Sequence, residues 1–392
     1  MLDRYQKEFC NLGAERIRLL APAGSGKTLS LLWRCKAIQE KNGNKPQRFL
    51  VVTFTRSARD ELRERLKADP DLAFLQSHIQ INTLNAFGNR YLRGQQTGLQ
   101  LITRKDAYWV VNNLLRPVWS QNALMSGVLS SGASLNFLKT DIIDAFDVLK
   151  ELGFRHDAKT LEKSVRKHLS WLEEVGLRRY YDRDVAEKFE KMKITTDAEG
   201  MEFFKFWAAA VDHMYQSNCI SFSDQKYFAM RKLEGTSIAA NQRFHHILVD
   251  EFQDVDPLDM NFIKVLTSIH KSTLTIVGDD DQAIFEWRGA VPKFILEPDT
   301  FLGGTYETCI LGNNYRSPAN VVRHSQKLIK NNTVRVKKSV KAKNRAEAEI
   351  VYREFENYEE SCTFVMNLVR EIHEDPQGRR IAIMGRKRAQ II

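Results

Sequence analysis

The chain contains no apolar run approaching the ~20 residues that cross a bilayer. Its opening, Met1-Leu2-Asp3-Arg4-Tyr5-Gln6, has no hydrophobic stretch of the export type, so no membrane association is expected. Cysteine is sparse: Cys10, Cys35, Cys219, Cys309 and Cys362 are odd in number, widely scattered and form no Cys-x-x-Cys. That argues against a disulfide framework or a zinc site, and for reduced thiols in a cytoplasmic protein. No internal repeat or low-complexity tract is evident. Acidic residues are in deficit, 49 against 59 Lys and Arg, for a net charge of +10. This excess suits a polyanionic partner, and a merely solvated basic surface equally well. With 392 residues, 43% of them hydrophobic, the chain should form two or three globular domains.

What is present centres on Ala21-Pro22-Ala23-Gly24-Ser25-Gly26-Lys27-Thr28. The apolar run Arg16 to Leu20 before it reads as a buried strand, and Leu29 to Glu40 after it as a helix. A Gly-rich turn in that position converges backbone N–H groups and a helix N-terminus on phosphate oxygens. Lys27 would reach the β- and γ-phosphates and the Thr28 hydroxyl would take one Mg²⁺ position. The strict pattern has Gly where this chain has Ala21.

Further along, Arg48 to Phe54 and Ile79 to Asn82 read as strands, each followed by a helix, the first capped by Ser57. Such alternation predicts a parallel α/β sheet. From about Leu99 to Arg243, three- and four-residue apolar spacing indicates a helical insertion, with Thr195 to Gly200 an exposed loop. Its aromatic run Met201 to Trp207 suits core packing better than base stacking. Strands resume at His245 to Asp250 and Thr273 to Gly278, flanking a helix from Pro257 to about His270. His245 and His246, with no third ligand nearby, read as structural. Beyond Glu307 come a helix from Ser317 to Lys330, extended Glu349 to Glu354, a helix from Glu359 to Glu374 and extended Arg380 to Met384. The cations Arg335, Lys337, Lys338, Lys341, Lys343 and Arg345 read as a solvated linker, with phosphate tracking as the alternative.

Three further segments carry chemistry. In Val249-Asp250-Glu251-Phe252-Gln253-Asp254, Asp250 can hold Mg²⁺ opposite Thr28, and Glu251 can deprotonate an attacking water. In Val277-Gly278-Asp279-Asp280-Asp281-Gln282, the Gln282 amide is placed to sense a γ-phosphate; Phe285, Trp287 and Arg288 behind it combine stacking faces with a phosphate contact. In Asn313-Asn314-Tyr315-Arg316, an Arg can stabilise charge on a transferring phosphoryl group.

Taken in order, Gln6, APAGSGKT, TFTRSARDEL, the segment around Thr83, VDEFQD, VGDDDQAIFEWRGA and NYRS resemble the UvrD/Rep/PcrA-type DNA helicases of superfamily 1. The resemblance implies an α/β fold: a RecA-like P-loop motor domain 1A (residues 1–98 and 246–305), a helical insertion 1B (99–245) and a partial second RecA-like domain 2A (306–392). It implies an ATP- and Mg²⁺-dependent motor moving 3′ to 5′ on single-stranded DNA and at duplex/single-strand junctions. Ala23, Gly24, Ser25 and Gly26 would cradle the phosphates beside Lys27 and Thr28, Gln6 would select adenine, and Tyr315 would stack on it. Asp250, Glu251, Gln282 and Arg316 would complete the hydrolytic site. Phe54, Arg56, Thr83, Asn85, Phe285, Trp287 and Arg288 would line the DNA path. The chain departs from the family pattern at Leu29, where Arg is usual, at Asn85, where His is usual, and in the added Arg56 and Arg59.

The later motor motifs are absent and the chain ends near the expected 2B insertion, so it reads as an N-terminal portion that binds ATP and DNA weakly and does not unwind duplex alone. Two alternatives stand beside a repair or replication helicase. One is a helicase subunit of a nuclease or phage-defence assembly, with protein partners to match; the other is a nucleotide-gated DNA-binding protein without turnover.

Overall fold

The computed structural model describes residues 2–130, 133–157, 161–186, 197–373 and 381–385. The chain divides into two compact units, Met1–Ala346 and Glu347–Ile392.

The first unit is built on six parallel strands: β1 (Arg16–Leu20), β2 (Phe49–Thr53), β3 (Ile79–Thr83), β4 (His246–Val249), β5 (Thr273–Gly278) and β6 (Glu307–Ile310). They lie in the order β3-β2-β4-β5-β1-β6. β2 is buried along its whole length, as expected of a parallel sheet covered on both faces. Its residues divide by the two-residue period of a strand: Leu50 and Val52 join one hydrophobic cluster, Phe49 and Val51 the other. β6 hydrogen-bonds to β1. The stretch after residue 305, expected to open a second unit, therefore contributes an edge strand to the first and stays compact with it as far as Ala346.

Helices alternate with the strands. α1 (Arg4–Asn11) starts with a capping box between Asp3 and Gln6, and α2 (Lys27–Lys41) comes directly after the Gly-rich turn. α3 (Arg56–Ala68) is capped by Thr55, whose hydroxyl accepts from the Ala58 N–H, in place of the expected Ser57. Both are hydroxyl residues, but only Thr55 has the extended backbone a cap requires. Thr83 caps α4 (Leu84–Gln95) in the same way.

Between β3 and β4 the described residues are mainly helical, with one short parallel pair, Gln100–Leu101 with Cys219–Ile220. The aromatic run is core: Phe203, Phe204, Phe206 and Trp207 are buried, with Phe204 and Trp207 edge to face at 6.1 Å. The expected loop at Thr195 to Gly200 is helical from Asp197, the first residue of Asp197–Gln216; Thr195 and Thr196 lie outside the described residues. The helix Asp224–Leu233 packs so tightly on α4 that a Cβ at Gly88 would lie 2.0 Å from the Gln225 carbonyl oxygen.

The histidine pair serves the sheet. His246 stacks on Phe49 at 5.1 Å and bonds Thr273 and Gln47, while the Arg48 N–H donates to His245. Among the described residues no cluster of His, Cys, Asp or Glu suits a metal ion by itself, and no helix is long and apolar enough to cross a membrane.

In the second unit the described residues form one helix, Tyr358–His373, with Phe364 against Phe355 at 5.3 Å. Glu349 to Glu354 and Ile381 to Met384, expected as strands, form no ladder; Arg380 lies outside the described residues.

Candidate functional site

The Gly-rich turn leaves β1 with the Ala21 N–H donating to the Gly278 carbonyl at 2.8 Å. Gly24 (φ +70°) and Gly26 (φ +82°) both adopt the left-handed conformation that side-chain-bearing residues rarely take. A Cβ on Gly24 would sit 2.7 Å from the Arg316 Cβ, and one on Gly26 2.6 Å from Gln6 Nε2. Glycine at those positions thus lets Arg316 and Gln6 pack directly against the turn. Ser25 Oγ is buried without a hydrogen-bond partner, as an atom awaiting a polar ligand would be. Thr28 lies in the first turn of α2, next to Lys27.

β4 delivers the acids to the same place. Lys27 Nζ makes an ion pair with Glu251 across 224 positions of sequence, and lies 4.0 Å from Asp250. Burial pushes the Asp250 carboxyl up to about 6, against the pull of Lys27. Glu251 carries a backbone φ of +51°, a strained setting for a residue with a side chain and one found disproportionately at functional sites. Its carboxylate is oriented by Gln253 Nε2 at 2.9 Å. Gln282 lies just beyond β5 and donates through Nε2 to Asp279 at 2.6 Å.

The Asn313–Arg316 segment closes over the turn. Tyr315 N–H donates to the Gly24 carbonyl at 2.8 Å and Asn314 Nδ2 to the Ala23 carbonyl at 2.7 Å. Arg316 is exposed beside Gly24, and the Tyr315 hydroxyl donates to Asp3. Gln6 also has a structural role. Its Oε1 accepts from the Asp3 N–H at 3.0 Å and its Nε2 donates to the Ser25 carbonyl at 3.0 Å. These bonds use one of the two N–H groups and one of the two carbonyl lone pairs of the amide, which leaves a donor and an acceptor for a ligand.

At the carboxyl ends of β2 and β3, where Thr53 and Thr83 reach it, lies a groove of about 930 Å³. All seven residues expected along a nucleic-acid path line it: Phe54, Arg56, Thr83, Asn85, Phe285, Trp287 and Arg288. Trp287 is 61% exposed, 6.3 Å from the Phe285 ring, and the Arg288 guanidinium lies over both rings. Asn85 Oδ1 is buried without a partner. Sequence reasoning missed Phe222, which lines the groove 53% exposed, and Arg183, which donates to the Trp287 carbonyl at 3.2 Å. A large aromatic between Ser221 and Ser223, away from any apolar period, was the available signal for Phe222. Asp254 links the two regions: it lines the groove, its carboxyl is pushed up to about 6 by burial and by Glu251, and its Oδ1 is buried without a partner.

The wider comparison agrees with this geometry. The profile of the UvrD/REP helicase N-terminal domain matches residues 2–301, and that of the UvrD-like helicase C-terminal domain matches residues 309–392. A probable DNA helicase II homolog of Mycoplasma capricolum is 27% identical over 365 residues, 91% of this chain and 44% of that protein. The ATP-dependent DNA helicase PcrA of Staphylococcus aureus is 27% identical over 383 residues, 95% of this chain and 46% of that protein. The putative ATP-dependent DNA helicase YjcD of Bacillus subtilis is 24% identical over 371 residues, 94% of this chain and 44% of that protein. The chain spans less than half the length of these relatives. Two glycines in left-handed turns, an ammonium meeting two acids from a distant strand, and a profile match across three quarters of the length lead to one conclusion: this chain belongs to the UvrD/Rep family of superfamily 1 DNA helicases.

Proposed function

We propose that this chain is the nucleotide-binding and DNA-tracking part of an ATP-driven motor that moves 3′ to 5′ along single-stranded DNA. The observation that carries this reading is the meeting of Lys27 with Asp250 and Glu251, beside a groove lined by every residue expected on a DNA path. Unpartnered Ser25 Oγ, the left-handed turn at Gly24 and Gly26, and buried Asp250 suit a magnesium-bound triphosphate. Thr28 and Asp250 would hold the metal, which when bound neutralises phosphate charge.

In this reading Lys27 exchanges its carboxylate partners for phosphate oxygens. Glu251, still oriented by Gln253, is then able to take a proton from water. Gln282 and Arg316 face the γ-phosphate, and Tyr315 flanks the base. Phe54, Phe285 and Trp287 stack on DNA bases while Arg56 and Arg288 meet phosphates; Thr83 and Asn85 contribute polar contacts. Residues 1–98 and 246–305 would be domain 1A and 99–245 domain 1B, and 306–392 would belong to domain 2A except for the strand β6. Junctions of duplex and single strand are the natural substrate.

The test is ATP turnover with and without single-stranded DNA for the wild type, Lys27→Ala and Glu251→Gln. DNA-stimulated turnover lost in both variants supports the assignment. Equal turnover in all three removes the site, and none in any favours a nucleotide-gated DNA-binding protein.

A further inference from the structure

The basic run from Arg335 reads in sequence as a solvated linker, yet two of its cations are engaged inside the first unit. The Lys338 side chain is 0% exposed; its Nζ lies 2.9 Å from Asp279, 3.0 Å from Asp281 and in contact with Asp280. Arg335 donates from Nε and Nη2 to the two carboxylate oxygens of Asp281, each at 2.6 Å, and the Val336 N–H donates to Asp280 at 2.8 Å. A buried ammonium persists only with such partners, and three consecutive carboxylates tolerate one another only with such a cation. A merely structural tie would explain this much.

The bonds of Asp279 lead from this cluster into the candidate nucleotide site. Its Oδ2 accepts the Gln282 amide at 2.6 Å, while Lys338 grips its Oδ1. Its N–H donates to Gln253 Oε1 at 3.0 Å, and Gln253 Nε2 donates to the Glu251 oxygen that meets Lys27. A Cβ on Gly278 would lie 2.4 Å from Gln253 Oε1, so glycine is what lets this link form. One continuous line of polar contacts thus runs from Lys338 through Asp279, Gln253 and Glu251 to Lys27, with Gln282 as its branch.

We propose that Lys338 is a positioning residue for Gln282: by holding Asp279 it aims the amide, and with it sets the preference of the site for a triphosphate over a diphosphate. This rests on the reading of Gln282 as the γ-phosphate contact. Removing the ammonium leaves Asp279 and Asp280 to repel one another while Asp281 keeps Arg335, and the turn that carries Gln282 loses its fixed direction.

The test is equilibrium binding of Mg²⁺ complexes of ADP and of a non-hydrolysable ATP analogue with a β,γ-imido bridge. Binding is measured for wild type, Lys338→Met, Gln282→Ala and the double variant, with thermal melting as the folding control. Gln282→Ala should cut the preference for the triphosphate roughly tenfold, the worth of one good hydrogen bond to a charged group. Lys338→Met should cut it severalfold, and the double variant should be no worse than Gln282→Ala alone. If Lys338→Met causes an equal further loss in the Gln282→Ala background, or no loss in the wild-type background, the proposal is overturned while the site stands. An unchanged preference in Gln282→Ala overturns the reading of the site itself, and the proposal with it. Where Lys338→Met fails to fold, Asp279→Asn takes its place in the same cycle, since it keeps the shape and drops the charge Lys338 grips.

Discussion

Two tryptophans give opposite expectations on truncation. Trp287 is 61% exposed in the groove, its ring 6.3 Å from that of Phe285 and beneath the Arg288 guanidinium. Little buried surface is lost in Trp287→Ala, so stability should change by no more than about 1 kcal/mol. If the ring stacks on a base, the same change removes about 1–3 kcal/mol of DNA affinity, or roughly 5- to 150-fold in Kd. Trp207 is 0% exposed and packs edge to face on Phe204 and His156. Trp207→Ala should cost about 3–5 kcal/mol of stability, as large core truncations do. The assay pairs fluorescence anisotropy of a labelled oligothymidylate at one fixed salt concentration with urea unfolding of each variant. Trp287→Ala with unchanged DNA affinity, or with a stability loss as large as that of Trp207→Ala, would refute the stacking argument.

Other parts of the structure give three more expectations. Gly88→Ala should destabilise by a few kcal/mol in urea unfolding, because the clash with the Gln225 carbonyl outweighs a helix-propensity gain of about 1 kcal/mol; a rise in stability would show that α4 can shift away. Burial and the charges of His245 and Arg34 push His246 down to about 4 from 6.5, and its neutral ring fits its bonds to Thr273 and Gln47. Since the unfolded chain then binds the extra proton, this group's stabilisation is complete above pH 6.5 and falls by about 3 kcal/mol as the pH drops to 4; His246→Gln should flatten that fall in melts across the window. DNA affinity should fall steeply with salt, and Arg56→Ala and Arg288→Ala should each reduce the slope of log Kd against log salt by about one; a flat response would divorce the positive charge from DNA.

The sheet and the meeting of Lys27 with Asp250 and Glu251 were legible because each rests on local order: an apolar strand, then a turn or acid of fixed chemistry at its carboxyl end. Four features were not. The cap of α3 fell to Thr55 rather than Ser57, a choice made by one residue's backbone conformation. β6 reads like the start of a new unit, but its ladder partner β1 lies some 290 positions earlier, beyond any local pattern. Lys338 and Arg335 sit in a run of exposed cations and differ from their neighbours only by meeting acids more than 50 positions away. The amide of Gln6 has the chemistry to read a base, yet it also serves the capping box that Asp3 forms with it.

The most direct test of a shared triphosphate site is a double-mutant cycle between Thr28 and Asp250, read as the affinity for the non-hydrolysable ATP analogue with Mg²⁺ and with EDTA. If both side chains hold one ion, Thr28→Ala and Asp250→Asn each weaken binding in Mg²⁺, the double variant is little worse than either, and all three losses shrink together in EDTA. Losses that add fully, or that persist undiminished without the metal, would contradict the claim that these distant residues serve a single magnesium-bound nucleotide.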